Sequence, residues 1–359
     1  MKNILDDLRH IKKLDKSGML GLLEDFPAQI AKANGVAKGV KLDNYEEISN
    51  IVFSGLGGSA IGGDVVRCCL ADELSIPFVV NRDYHIPFFV SPKTLFFASS
   101  YSGNTEETIS AYQMAKESKA KIIVMTSGGE LKKLAESDGY PVIEIPEKTM
   151  PPRAALGYSF APVLGVLSKI KLIKDKTRDI DEAIEVISGL RDELTGPKVP
   201  IKDNLSKEIA SELLGRYCAV YGWSTHLDCA ITRLRNQLCE NSKSLATSHF
   251  LPEMDHNEIM GFSHPKEMLK GTVVIFLRDK FDHPRIKDRI EITSQIIKDS
   301  VHKIINVDSK GKGLLARLCS LIYIGDFASY YLAILNKEDP TPVDEITYLK
   351  KELAKRKAI

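Results

Sequence analysis

An excess of charge of either sign is missing from this chain. Forty-nine Lys and Arg stand against 48 Asp and Glu, a net charge of +1, which leaves no electrostatic footprint for nucleic acid or an anionic membrane surface. No apolar run approaches the ~20 residues of a membrane helix, and residues 1–13 mix charges instead of forming a signal peptide. The six cysteines show no CxxC spacing: Cys68 and Cys69 are adjacent, and Cys218, Cys229, Cys239 and Cys319 are scattered. They read as reduced, mostly buried thiols of a cytoplasmic protein, with no disulfide framework. The P-loop pattern GxxxxGK is also absent. Lys350, Lys351, Lys355, Arg356 and Lys357 alternate with apolar residues and read as a solvated helix face. What is present is an ordinary globular composition, 43% hydrophobic and 27% charged. The 359 residues are enough for about two domains that need neither disulfide nor metal for stability.

The first half alternates two patterns. Short apolar runs at 51–54, 77–81, 94–99, 121–126 and 141–145 are separated by helical stretches at 64–70, 106–119 and 130–137. Unbroken apolar runs between helices predict parallel strands covered on both faces. Pro151, Pro152 and Pro162 then punctuate a loop and helix, 179–194 forms an amphipathic helix, and 195–200 reads as a linker. A second alternation predicts strands at 217–221, 272–277 and 301–307, with helices at 225–239, 284–299 and 312–335 and a closing helix at 344–355. The fold class is therefore α/β, two doubly wound units, each a mainly parallel sheet flanked by helices, plus a C-terminal helix. The expected division is 1–165 for the N-terminal domain, 166–200 for a connecting helix and linker, and 201–359 for the C-terminal domain.

Four constellations carry chemistry. Gly55-Leu-Gly-Gly58-Ser59-Ala60-Ile-Gly-Gly63 joins a strand to a helix, where glycines admit an anion to the helix N-terminus. Ser99-Ser100-Tyr-Ser102-Gly-Asn-Thr105 does so again, with the hydroxyls of Ser100, Ser102 and Thr105 curling around a point the size of one phosphate. A dinucleotide would use the first turn, leave the second idle, and want an acid about 20 residues on. A phosphorylated sugar would use both loops. Arg153, framed by Pro152 and Gly157, is suited to a developing oxyanion. Glu240 sits late in a helix among Leu234, Leu238 and Cys239, where a carboxylate in a partly dry site can act as a base. His256 lies among Glu253, Asp255 and Glu258, carboxylates expected to orient its imidazole. Their spacing fits no HExxH-type metal pattern.

With these motifs in order, the chain resembles the bifunctional phosphoglucose/phosphomannose isomerases of archaea and some bacteria, built from two sugar isomerase (SIS) domains. The resemblance rests on Gly57–Gly63, Ser100–Thr105, Pro152-Arg153-Ala-Ala-Leu-Gly-Tyr158, Glu240-Asn-Ser-Lys243, Pro252-Glu253, His256-Asn-Glu-Ile259 and Asp339-Pro-Thr-Pro-Val343. It implies a homodimeric enzyme with no metal and no cofactor. Gly58, Ser59, Ser100, Ser102 and Thr105 would hold the substrate phosphate, and Glu240 would move a proton between carbons 1 and 2. Arg153 would stabilise the enediolate, and His256 of the partner subunit would open the ring. Thr341, with Thr347 nearby, is the counterpart of the threonine associated with accepting mannose 6-phosphate. Ala60 and Ser242 depart from the family's common glycine and alanine without removing a reacting group. The competing readings are a non-catalytic SIS regulator that binds a sugar phosphate, an NAD-dependent dehydrogenase, and an SIS aminotransferase or deaminase of amino sugars. No basic helix-turn-helix segment accompanies the first, and the glutaminase-type N-terminal domain of a synthase is lacking.

Overall fold

The apolar runs of the first half become one sheet in the computed structural model, which describes residues 4–42, 45–146 and 150–356. Its strands are Asn50–Ser54 (β1), Phe78–Asn81 (β2), Thr94–Ser99 (β3), Lys121–Thr126 (β4) and Val142–Glu144 (β5). All pair in parallel, in the order β2-β1-β3-β4-β5. Every residue of the central β3 is buried, as its unbroken Thr-Leu-Phe-Phe-Ala-Ser run requires. The second sheet contains Tyr217–Trp223 (β6), Ala246–Leu251 (β7), Thr272–Arg278 (β8) and Lys303–Asp308 (β9), again all parallel, in the order β7-β6-β8-β9.

Three features differ from expectation. β7 is an unpredicted strand, because Ala-Thr-Ser-His-Phe-Leu has no apolar run; at the sheet edge its four middle residues are only half-buried. The N-terminal helices Leu8–Leu14, Met19–Glu24 and Phe26–Val36 are likewise unpredicted. The helix Leu156–Lys169 runs through Pro162 instead of breaking there, and nearly all its residues are buried, so tertiary packing outweighs the lost backbone bond. Gly62, in the helix Ile61–Cys69, makes that packing possible. A Cβ there would lie 2.1 Å from the Ser159 hydroxyl.

The helix Leu314–Leu335 is the axis of the molecule. By length and composition it could cross a membrane, contrary to the sequence reading, yet 94% of its apolar window is buried inside the fold. It packs on the helices Thr177–Leu190, Leu205–Leu213 and Asp228–Glu240. Its tyrosines reach the opposite end of the chain: Tyr323 donates to the Leu23 carbonyl at 2.9 Å and Tyr330 to the Asp15 carboxylate at 3.0 Å. Its charges are paired internally, Arg317 with Asp279 and Asp326 with Arg233, each at 2.7 Å.

The loop after β8 holds a carboxyl with a measurable signature. Asp282 is 3% exposed and one of its oxygens accepts the Asp279 amide at 2.9 Å, while the other has no partner among the described residues. Burial pushes its pKa up to about 6 although the Asp279 amide opposes the shift. The folded state therefore holds this proton more tightly than the unfolded chain, and stability falls as pH rises from the ordinary aspartate value through about 6. A tenfold difference in proton affinity between folded and unfolded states is worth about 1.4 kcal/mol. Asp282→Asn is accordingly expected to raise stability by roughly 1–3 kcal/mol at pH 7.5, and hardly at all near pH 4. Urea melts at the two pH values check this.

Candidate active site

β1 and β3 are neighbours, but the chain leaves them toward opposite edges of the sheet, so a crevice opens at their carboxyl ends. The glycine turn follows β1 and the serine loop follows β3. Ser59 ties the two together: its hydroxyl accepts the Tyr101 amide at 3.0 Å, and its carbonyl accepts the hydroxyls of Ser99 and Ser159 at 3.1 and 3.2 Å. Within the serine loop the buried Ser100 hydroxyl lies 2.9 Å from that of Thr105 and accepts the Gly103 amide at 3.1 Å. The exposed Ser102 hydroxyl accepts the Asn104 amide at 3.3 Å. Thr105 opens the helix Glu106–Glu117 without capping it by its side chain. The first-turn amides are thereby left for an anion.

Gly58 carries this crevice to Arg153. A Cβ on Gly58 would sit 2.7 Å from the Arg153 nitrogen, so the turn and the Pro-Arg-Ala segment meet backbone to backbone. Arg153 is 4% exposed, not the surface arginine such a loop more often offers. Gln29 braces its loop from the first helical layer, donating to the Ala154 carbonyl at 2.8 Å and accepting the Gly157 amide at 2.7 Å. The guanidinium donates from Nε to Asn241 Oδ1 at 2.7 Å, and from Nη2 to the carbonyls of Pro340 and Thr341 at 2.7 and 2.9 Å. Nη1 stands 3.6 Å from the Glu240 carboxylate. Burial draws the Arg153 proton affinity down and the Glu240 charge opposes this; an arginine nevertheless stays charged in a protein.

Glu240 ends the helix Asp228–Glu240, with its side chain 28% exposed and so within reach of a ligand. Spacings of four and three residues align Arg233, Gln237 and Glu240 on one face. Arg233, 4% exposed, binds Asp326 and donates to the Arg153 carbonyl at 2.9 Å. Thr341 belongs to this cluster through its carbonyl, and its hydroxyl is buried with no partner among the described residues. Thr347 does not belong to it: exposed, it bonds the Val343 carbonyl of its own helix at 3.1 Å.

His256 is placed differently from the others. It is exposed on a short turn, Glu253–His256, and bonds to none of the residues around Arg153 and Glu240. Its neighbouring carboxylates do not orient it, because each has another partner. Asp255 binds Arg289 and Thr293, both at 2.9 Å; Glu258 binds Tyr221 at 2.6 Å and His249 at 2.8 Å; Glu253 accepts from Asn257 at 2.7 Å.

Among the described residues, one cluster with metal-ligating atoms lies elsewhere: Cys68, Asp228 and Cys229 within 4.8 Å of one another. Arg67 grips both oxygens of Asp228 at 2.7 Å and the Cys68 thiol donates to it at 2.7 Å, so the donor atoms are engaged in fastening two helices. Sequence reasoning misses Gln29 and Arg233 as functional positions and places Asn241 in the Glu240 motif without a role of its own. Neither Arg233 nor Gln29 is announced by a local pattern: Arg233 lies two, one and five positions from Ile231, Leu234 and Leu238, off their apolar face.

Residues 45–140 match the SIS domain family, and residues 202–353 match the bacterial phospho-glucose isomerase C-terminal SIS domain. The bifunctional phosphoglucose/phosphomannose isomerase of Caldicellulosiruptor bescii is 46% identical, over 93% of this chain and 98% of that protein. The Aquifex aeolicus protein of the same name is 37% identical, over 85% of this chain and 90% of its own length. A glucose-6-phosphate isomerase-like protein from Thermus thermophilus shares the fold, with TM-score 0.62 at 16% identity over 94% of this chain and 98% of that one. The chain belongs to the bifunctional phosphoglucose/phosphomannose isomerase family.

Proposed function

We propose that this protein interconverts glucose 6-phosphate or mannose 6-phosphate with fructose 6-phosphate through a cis-enediol(ate), at the crevice where the loops after β1 and β3 meet Arg153 and Glu240. The observation that carries the reading is the buried Arg153 at 3.6 Å from Glu240, backed directly by the phosphate-sized loops through Gly58. Ser59, Ser100, Ser102, Thr105 and the helix amides hold the phosphate at one end. Remote anchoring of this kind fixes the reacting carbons and lets binding energy lower the barrier. Glu240 takes the proton from one carbon and returns it to the next.

Arg153 supports the negative oxygen that develops between these steps. A guanidinium has five N–H groups. The Nε hydrogen and those of Nη2 are committed to Asn241, Pro340 and Thr341, which leaves Nη1, beside Glu240, aimed at the enediolate oxygen. Such a preorganised donor needs no rearrangement as charge appears. His256, exposed and without a hydrogen-bond partner among the described residues, opens the ring in the crevice of a second subunit. The Thr341 hydroxyl, without a partner among the described residues, offers the sugar a contact that accommodates both configurations at carbon 2. A buried hydroxyl without a partner is uncommon in proteins. The scheme calls for no metal or cofactor.

Three measurements test it. Glu240→Gln, assayed from fructose 6-phosphate with EDTA present, is expected to lose roughly 100- to 10,000-fold in kcat toward both aldoses while retaining phosphate-analogue binding; wild-type turnover would remove the base. Mixing and refolding the inactive Glu240→Gln and His256→Asn variants is expected to restore about a quarter of wild-type activity, since a two-fold dimer with shared sites leaves one intact site per mixed dimer. A histidine acting within its own chain would restore nothing. Thr341→Val is expected to depress mannose 6-phosphate formation several-fold more than glucose 6-phosphate formation, and equal losses would argue against that contact.

A further inference from the structure

The Glu240-Asn-Ser sequence ends in Lys243, whose chemistry the scheme above does not use. Lys243 lies just past the helix end with φ +54°, a left-handed residue that doubles its side chain back over the helix terminus. Its Nζ donates to the carbonyls of Glu240 and Asn241 at 3.0 and 3.2 Å, and across the crevice to those of Asp339 and Pro340 at 2.9 and 3.4 Å. Among the described residues it forms no ion pair, unlike many surface lysines. Burial and the nearby Arg153 charge lower its proton affinity, so the carbonyls keep the ammonium where another cation would repel it.

Both segments whose backbone Lys243 holds also hold Arg153, one through the Asn241 side chain and the other through backbone carbonyls. Asn241 takes the Arg153 Nε, and Pro340 with Thr341 takes Nη2. The Pro340 carbonyl receives both cations. The separation between helix end and C-terminal segment sets where Nη1 points, and the Lys243 ammonium spans it beside Arg153 itself and the Asn336 amide, which donates to the Ser242 carbonyl at 2.9 Å. Resting on the roles proposed above for Glu240 and Arg153, we infer that Lys243 is a positioning residue for the isomerisation: it locks the Asp339–Thr341 backbone to the end of the base-bearing helix and so aims the arginine.

The test is Lys243→Met beside Lys243→Arg and Glu240→Gln. Lys243→Met is expected to lose about 10- to 100-fold in kcat, as misplacement of a catalytic group by about 1 Å does. Its KM for fructose 6-phosphate should stay within about twofold, because the phosphate loops are untouched. Lys243→Arg, which keeps the charge and the donors, is expected to recover most of that loss. A wild-type kcat in Lys243→Met, or a loss confined to KM, would overturn the inference while leaving an inactive Glu240→Gln to uphold the base. An active Glu240→Gln would instead sink the underlying scheme. Hydrogen exchange gives a readout independent of turnover: residues 337–343 should exchange faster in Lys243→Met, and unchanged protection would refute the lock.

Discussion

The site depends first on the ion pair between Arg233 and Asp326. Both side chains are 4% exposed, so each charge has left water and depends first on the other. Removing one partner of such a pair leaves a buried charge and costs roughly 3–5 kcal/mol. Burial raises the Asp326 pKa and Arg233 pulls it back. Arg233 also donates to the Arg153 carbonyl, and Asp326 lies on the central helix. The Arg153 backbone is thus tied to the central helix through one buried charge.

Around that pair the polar groups form a continuous network. Asn241, fully buried, joins Arg153 to Ser329, and Ser242 donates to the Ser329 carbonyl at 2.7 Å. Satisfied buried networks are rigid because every alternative arrangement leaves a polar group unpaired. The departure from alanine at Ser242 therefore adds a fastening instead of loosening the site. Arg67, Asp228 and the Cys68 thiol make a second clasp between the helices that begin after the glycine turn and end at Glu240. A metal at this cluster would have to displace Arg67.

The strands are legible wherever both faces of a sheet are covered, since burial on both sides demands an unbroken apolar run: β3 and β4 fall on the residues expected. β7 is illegible because an edge strand needs no such run, and its polar Thr247, Ser248 and His249 read as loop. The candidate motifs stand out in the sequence because holding a phosphate or moving a proton would require particular residue types. Their supports do not. Gln29 braces a loop more than a hundred positions away by two hydrogen bonds, and no local pattern announces a partner at that distance. Proximity in sequence misleads at His256, where the adjacent carboxylates serve Arg289, Tyr221, His249 and Asn257 instead.

The tyrosines of the central helix carry a consequence for biogenesis. Tyr330 meets Asp15, and Tyr323 meets Leu23, across sequence separations of 315 and 300 residues. A ribosome extends a chain at about 5–20 residues per second. The opening helices therefore emerge tens of seconds before the tyrosines that fasten them exist. During that interval the Asp15 carboxylate and the Leu23 carbonyl lack these hydroxyl donors and Phe26 lacks the Tyr323 ring, so the docking of the opening helices is completed only when the last core helix arrives.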